Sequence, residues 1–253
     1  MKQYLVIGAT SAIARACCRQ LLTAHARGDG EPIEFFLAGR SSEKLEQMGA
    51  DLQARGAREV YSHPIDLADT TAHSHLLEAI DRSLSQIDVA LLAHGTLPDQ
   101  AACERDADLA VSEFNLNGTS TLSVLTRLAY QMEQRGQGTL VVITSVAGDR
   151  GRPSNYVYGS AKAAVSVFCE GLRARLYASG VHVMDVRPGF VDTPMTQDLE
   201  LPSLLLASPD GVARRILRGI ARRRDVLYVP AFWALIMAII RFVPRFVFKR
   251  LSL

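Results

Sequence analysis

Strand-like apolar runs alternate with helical patterns from the first residues of this chain, and no other feature narrows its possible folds as far. The candidate strands are Tyr4–Ile7, Ile33–Ala38, Glu59–Ser62, Val89–Ala93, Leu140–Thr144 and Val181–Val186. Amphipathic stretches such as Ile13–Ala24, Ser42–Ala54 and Thr71–Leu84 lie between them. The strands are apolar almost throughout instead of alternating, as expected where both faces of a sheet are covered. Strand, helix, strand in this order implies right-handed crossovers and a parallel, doubly wound α/β sheet. With 253 residues, 48% of them hydrophobic, the chain can fill one core, and no linker divides its first 225 residues. We therefore expect one domain over residues 1–228, followed by an apolar and basic helical segment over 229–253.

The first strand runs into Gly8-Ala9-Thr10-Ser11-Ala12-Ile13-Ala14 and then a helix. A sharp glycine turn here lets backbone N–H groups and a helix N-terminus face a pyrophosphate, as in Rossmann-type dinucleotide folds. Only Gly8 of the usual glycine pattern is present, so a tight turn with small packing residues fits equally well. The second strand ends Leu37-Ala38-Gly39-Arg40-Ser41-Ser42, with no carboxylate until Glu43. A carboxylate there selects NAD, whereas an arginine accommodates the 2′-phosphate of NADP. Arg40 thus favours NADP(H), with NAD(H) the alternative, unless it is an ordinary loop arginine. Asp66 and Leu67 after the third strand, and Ala93 and Gly95 after the fourth, lie where open α/β sheets bind ligands. His94 reads as a wall of that pocket.

The densest chemistry lies between Ser145 and Lys162. Tyr158 and Lys162 sit four residues apart in Tyr158-Gly159-Ser160-Ala161-Lys162, hence on one helical face. A free phenol titrates near about 10 and is a poor base at neutral pH. A nearby ammonium is expected to lower that value. Ser145, at a strand's carboxyl end, can polarise a substrate carbonyl.

Together these residues resemble the active site of the short-chain dehydrogenase/reductase family, over about residues 1–225. The resemblance implies Tyr158 as proton donor and acceptor, and Lys162 as the lysine that also holds the nicotinamide ribose. It implies Ser145 as the substrate-orienting hydroxyl. Asn115, in Phe114-Asn115-Leu116-Asn117-Gly118, is similar to the asparagine that keeps a relay water, with Asn117 second. Pro188, Gly189, Val191 and Thr193, in Arg187-Pro188-Gly189-Phe190-Val191-Asp192-Thr193, resemble the segment that contacts the nicotinamide. Two segments depart from the family: glycines are replaced by Ala12 and Ala14, and the usual Asn-Asn-Ala-Gly reads Leu92-Ala93-His94-Gly95. Tyr156 and Thr144 are decoys, since neither has the family spacing.

Net charge is only +2, so no basic field points to nucleic acid. Cys17, Cys18, Cys103 and Cys169 form no metal-binding spacing and read as reduced thiols. Met1-Lys2-Gln3 passes straight into the first strand without the apolar region of a secretory leader, so a cytoplasmic protein is expected. The run from Ala231 to Ile240 is shorter than the about 20 apolar residues of a membrane span, and it lacks the polar stripe of a surface helix. With the arginines and lysine that follow, it suits a membrane interface over residues 231–253, peripheral on the inner face. A dimer contact or substrate lid would look the same. The tail and general pattern are also similar to reductases of polyprenyl-phosphoryl keto-sugars. The loop through Met195 and Leu199 to Leu206 is apolar and suits a greasy substrate.

The expected function is an NADP(H)-dependent oxidoreductase of small carbonyl or alcohol substrates, amphiphilic ones included, assembled as a homodimer or homotetramer. The alternatives are a non-catalytic NADP(H)-binding sensor and a membrane-tethered interaction protein.

Overall fold

The computed structural model describes residues 1–26, 31–197 and 202–251. In chain order the first half contains β1 (Lys2–Ile7), α1 (Ala12–His25), β2 (Ile33–Gly39), α2 (Ser42–Ala54), β3 (Glu59–Pro64), α3 (His73–Ser83) and β4 (Val89–Leu92). Next come α4 (Gln100–Cys103), α5 (Ala107–Phe114), α6 (Ser120–Arg135), β5 (Thr139–Ile143), α7 (Tyr156–Leu176) and β6 (His182–Pro188). The chain closes with α8 (Pro209–Ala221), β7 (Val226–Val229), α9 (Phe232–Phe242) and α10 (Arg245–Phe248). Among the described residues the seven strands form one sheet in the order β3-β2-β1-β4-β5-β6-β7, and every neighbouring pair is parallel. This is the doubly wound, Rossmann-type α/β fold.

Alternate residues of each strand feed two separate cores, which is why the strands read as unbroken apolar runs. On one face Leu5, Ile7, Phe36, Leu92 and Val142 pack with Leu76 of α3, Leu125 of α6 and Val165 of α7. On the other, Val6, Phe35, Leu37, Leu91 and Val141 pack with Cys17 of α1, Leu45 of α2 and Ile216 of α8. Helix starts are fixed locally: the hydroxyls of Ser41 and Ser208 and the carboxylate of Asp106 accept from N–H groups of α2, α8 and α5. The four cysteines are buried and unpaired.

One strand went unforeseen in the sequence. β7 is a four-residue edge strand with its first three residues only partly covered, so its pattern carries little periodicity. It moves the expected boundary at residue 228: Val229 is fully buried, pairs with Pro188 and belongs to the sheet. The segment beyond it also departs from expectation. Although α9 lacks a polar stripe, it lies on the surface and buries Trp233 and Met237 against Val146, Phe190 and Tyr228. Phe190 and Trp233 meet edge to face, with ring centroids 5.3 Å apart. The Arg150 guanidinium donates to the carbonyls of Ile240, Arg241 and Val243, the last at 2.7 Å, and lies 3.8 Å over the Phe248 ring. One arginine thereby caps the end of α9 and holds the turn into α10. Of the apolar loop expected between Met195 and Leu206, Leu199 lies outside the described residues, while Met195, Leu204 and Leu206 are exposed.

Truncating the buried indole by Trp233→Ala should cost about 3–5 kcal/mol through lost contacts and a residual cavity. Urea unfolding followed by far-ultraviolet circular dichroism measures it. An unchanged midpoint would mean that α9 does not rest on the domain.

Candidate active site

β1 ends at Ile7, and Gly8 turns the chain with φ +76°. A side chain there would be strained and would come within 2.5 Å of the His94 backbone, so only glycine fits. The N–H groups of Gly8 and Ala9 both donate to the Ala38 carbonyl, at 2.9 and 3.0 Å, which fixes the turn. Helix α1 then starts with Ser11 as its N-cap, but the Ser11 side chain caps nothing and the first turn holds no acid. Its first N–H groups thus face the adjoining cavity unclaimed by side chains, the arrangement a phosphate group fits.

That cavity, of about 540 Å³, follows the carboxyl edge of the sheet. Gly8, Thr10, Ser11, Ala12 and Ile13 line one end, with Arg40, Asp66 and Leu67 beside them. Ala93 and Gly95 line its middle, and Pro188, Gly189, Val191 and Thr193 line the far side. Arg15, one turn into α1, also lines it; the sequence reading missed this second cation, although helical spacing from Ser11 would have found it. His94 is a neutral wall: its Nε2 lies 3.1 Å from the Thr121 hydroxyl and 3.2 Å from that of Ser120, and burial pushes its pKa down to about 3.

The reactive end is set where α7 crosses the exit of β5. Ser145 follows β5 and opens a short turn, Val146–Asp149, in which its hydroxyl accepts from Ala147 N–H at 3.1 Å. A Cβ on Gly159 would come within 2.7 Å of the Ala147 carbonyl, so glycine lets that turn press against α7. Tyr158 thereby faces the same cavity as Ser145. Lys162, one helical turn on, places Nζ 5.6 Å from the Tyr158 ring centre and donates to the Ile143 carbonyl at 3.4 Å. The decoys separate cleanly: Tyr156 is exposed, and Thr144 is buried with its hydroxyl donating to Asp185.

The two asparagines have different surroundings. Asn115 is exposed, outside the cavity, and its Oδ1 accepts from the Thr119 hydroxyl at 2.9 Å. Asn117 is fully buried and lines the cavity. Its Oδ1 accepts from Thr96 N–H at 3.1 Å, and its Nδ2 donates to the Thr96 hydroxyl and the Glu113 carbonyl, both at 3.1 Å. A methyl built on Gly95 would stand 2.6 Å from Asn117 Oδ1 and 3.3 Å from Lys162 Nζ, so the two side chains converge on one point. The cause is a turn of π-helix over Asn115–Thr119, which rotates the face presented by the helix. A sequence read at 3.6 residues per turn does not reveal it.

Electrostatics also depart from the simple expectation. Burial pushes the Tyr158 phenol up to about 12, with the Ser145 hydroxyl opposing it. Burial pushes Lys162 down to about 8, with the Asp185 carboxylate opposing. Desolvation thus outweighs the attraction expected between ammonium and phenolate. Asp185 is itself fixed by Arg187 Nε at 2.8 Å, and Arg187 reaches Asp149 at 2.8 Å and the Tyr228 hydroxyl at 3.0 Å.

Residues 2–202 match the family model described as short chain dehydrogenase. The chain belongs to that family. An uncharacterised oxidoreductase of Mycobacterium tuberculosis is 39% identical over 219 residues, covering 86% of this chain and 87% of the relative. An uncharacterised oxidoreductase of Streptomyces coelicolor is 37% identical over 252 residues, 99% of this chain and 96% of the relative. Among solved structures, a short-chain dehydrogenase from Sphingobium yanoikuyae in complex with NADPH superposes with a TM-score of 0.81 at 22% identity, covering 97% of both chains. This short-chain dehydrogenase is accordingly an oxidoreductase of CH–OH and C=O groups that uses a nicotinamide cofactor.

Two outcomes are expected. Asn117→Ala leaves Thr96 N–H unpaired and should cost about 1–3 kcal/mol of stability. Asn115→Ala should change stability by less than about 0.5 kcal/mol; equal losses in both variants would contradict the placement. His94 has a folded pKa below its ordinary 6.5, so its contribution is complete above that pH and is lost as pH falls toward 3. Wild type should therefore lose stability across this window faster than His94→Asn, by up to about 1.4 kcal/mol per pH unit. Parallel slopes in urea titrations at several pH values would refute it.

Proposed function

We propose that this short-chain dehydrogenase is an NADP(H)-dependent carbonyl reductase acting on substrates with an apolar or amphiphilic body. The observation that carries the reading is that Ser145, Tyr158 and Lys162 line one cavity together, with the Lys162 Nζ 5.6 Å from the Tyr158 ring centre. Leu97, Val146, Phe190 and Met195 make that end of the cavity largely apolar, which favours a greasy carbonyl compound. The nicotinamide, when bound, supplies or accepts the hydride. Ser145 donates a hydrogen bond to the carbonyl oxygen and orients it. Tyr158 holds its proton on Oη at neutral pH and gives it up as that oxygen becomes an alkoxide. Lys162, charged below about pH 8, favours the phenolate left behind. Asn117 fixes the chain at Thr96 beside the ammonium.

Preference for NADP(H) rests on the charge at the β2 exit. Arg40 and Arg15 line the cavity there, and the first carboxylate, Glu43, is turned to Gln47, whose Nε2 donates to it at 3.1 Å. The NADPH carried by the Sphingobium protein is in line with this preference.

With NADPH and a panel of aliphatic and amphiphilic ketones, Tyr158→Phe should lower kcat by about 10²–10⁴-fold while NADPH binding persists. For reduction, kcat/KM should be level near neutrality and fall above pH about 8, as Lys162 loses its proton. Arg40→Ala should weaken NADPH about 10- to 100-fold and leave NADH unchanged, as expected for lost hydrogen bonds to a charged group. Wild-type preference for NADH would sink the cofactor assignment.

A further inference from the structure

The two sides of α9 differ in what they cover. Trp233 and Met237 face the domain, whereas Phe232, Leu235, Ile239 and Phe242 are exposed, Leu235 by 68% and Phe242 by 87%. The exposed four recur at spacings of three and four residues, so they form one continuous stripe. Phe246 in α10 and Leu251 beyond it extend the apolar surface. Scattered exposed leucines need no explanation, but a contiguous stripe of this length does.

Charge says what covers it. Arg241, Arg245, Lys249 and Arg250 are all exposed beside the stripe, and residues 226–253 contain no aspartate or glutamate. A second copy of this chain meeting these helices about a two-fold axis would bring cations onto cations, with no acid in this segment to neutralise them. An 11-residue α9 is too short to cross a bilayer, and among the described residues no helix is long and apolar enough to do so. Aromatic and aliphatic side chains flanked by uncompensated cations match the boundary between acyl chains and anionic headgroups.

We propose that α9 and α10 dock this protein in-plane on a membrane surface rich in anionic lipid, inserting Leu235, Ile239 and Phe242. The helix can bear this load because it is fastened from behind: Arg150 holds its last carbonyls, and Trp233 locks it to Phe190. Phe190 also lines the cavity, so the docking helix and the substrate end share a wall. An amphiphile held in the membrane is thereby presented close to the site.

The test is co-sedimentation of the full chain with vesicles of phosphatidylcholine alone and of phosphatidylcholine mixed equally with phosphatidylglycerol. Binding to the mixed vesicles should exceed binding to the neutral ones by roughly tenfold or more and weaken with salt. The double substitution Leu235→Glu/Phe242→Glu, at exposed positions, should abolish binding with the circular dichroism spectrum unchanged. Replacing the four cations by glutamine should remove the preference for anionic vesicles. Protein remaining in the supernatant with both vesicle types overturns the proposal, as does equal binding to both. A dimer in light scattering that Leu235→Glu/Phe242→Glu dissolves, without vesicle binding, would assign the face to a second copy instead.

Discussion

Everything functional in this molecule hangs on the register between β1, β4, β5 and β6. Ile7 pairs with Leu92, Leu92 with Val142, and Ile143 with Val186. Both faces of these strands are buried, so a slip of one residue would exchange the two cores side chain by side chain. Register being fixed, β1 and β4 end at one level, and β5 and β6 run on a little beyond it. Gly8, Gly95 and Ser145 leave the sheet at the same edge, where β6 ends in Pro188, and the cavity lies across it. The site follows from how parallel strands terminate, which is why groups distant in sequence meet there.

Placing a lysine and a tyrosine at that edge has an electrostatic consequence. Lys162 is buried and Tyr158 half-buried at the cavity wall, and the cost of burying charge moves the ammonium down and the phenol up. At neutral pH each therefore holds its proton, the state suited to protonating an oxygen. Asp185 keeps the lysine from falling further, and is held in place by Thr144 and Arg187. Arg187 binds Asp149 and Tyr228 in turn, so a chain of charged and polar groups links the lysine's surroundings to β7. Buried charges of this kind are tolerable only when each has a partner.

The C-terminal helices are built into the same arrangement. Pro188 pairs with Val229, and beyond β7 the chain returns so closely that a Cβ on Gly189 would overlap the Trp233 indole. The loop that lines the far side of the cavity is thus backed by α9. Nothing in the apolar run from Ala231 to Ile240 distinguished a free tail from this packed helix, because the side chains that bury and those that stay exposed are equally apolar.

The layered fold, six of the strands, the glycine turn and the presence of Ser145, Tyr158 and Lys162 at one sheet edge were legible in the sequence. Each rests on periodicity, or on a residue type that a local conformation or a chemical step requires, and such signals survive in one dimension. It took the folded chain to show that Asn117, and not Asn115, lines the cavity, because a π-turn changes which side of a helix faces inward without altering composition or spacing. The tertiary structure alone supplied the upward shift of Tyr158 and the division of α9 into an inner and an outer face. These depend on what surrounds a side chain, on desolvation and on contacts far apart in the chain. A linear pattern does not record them.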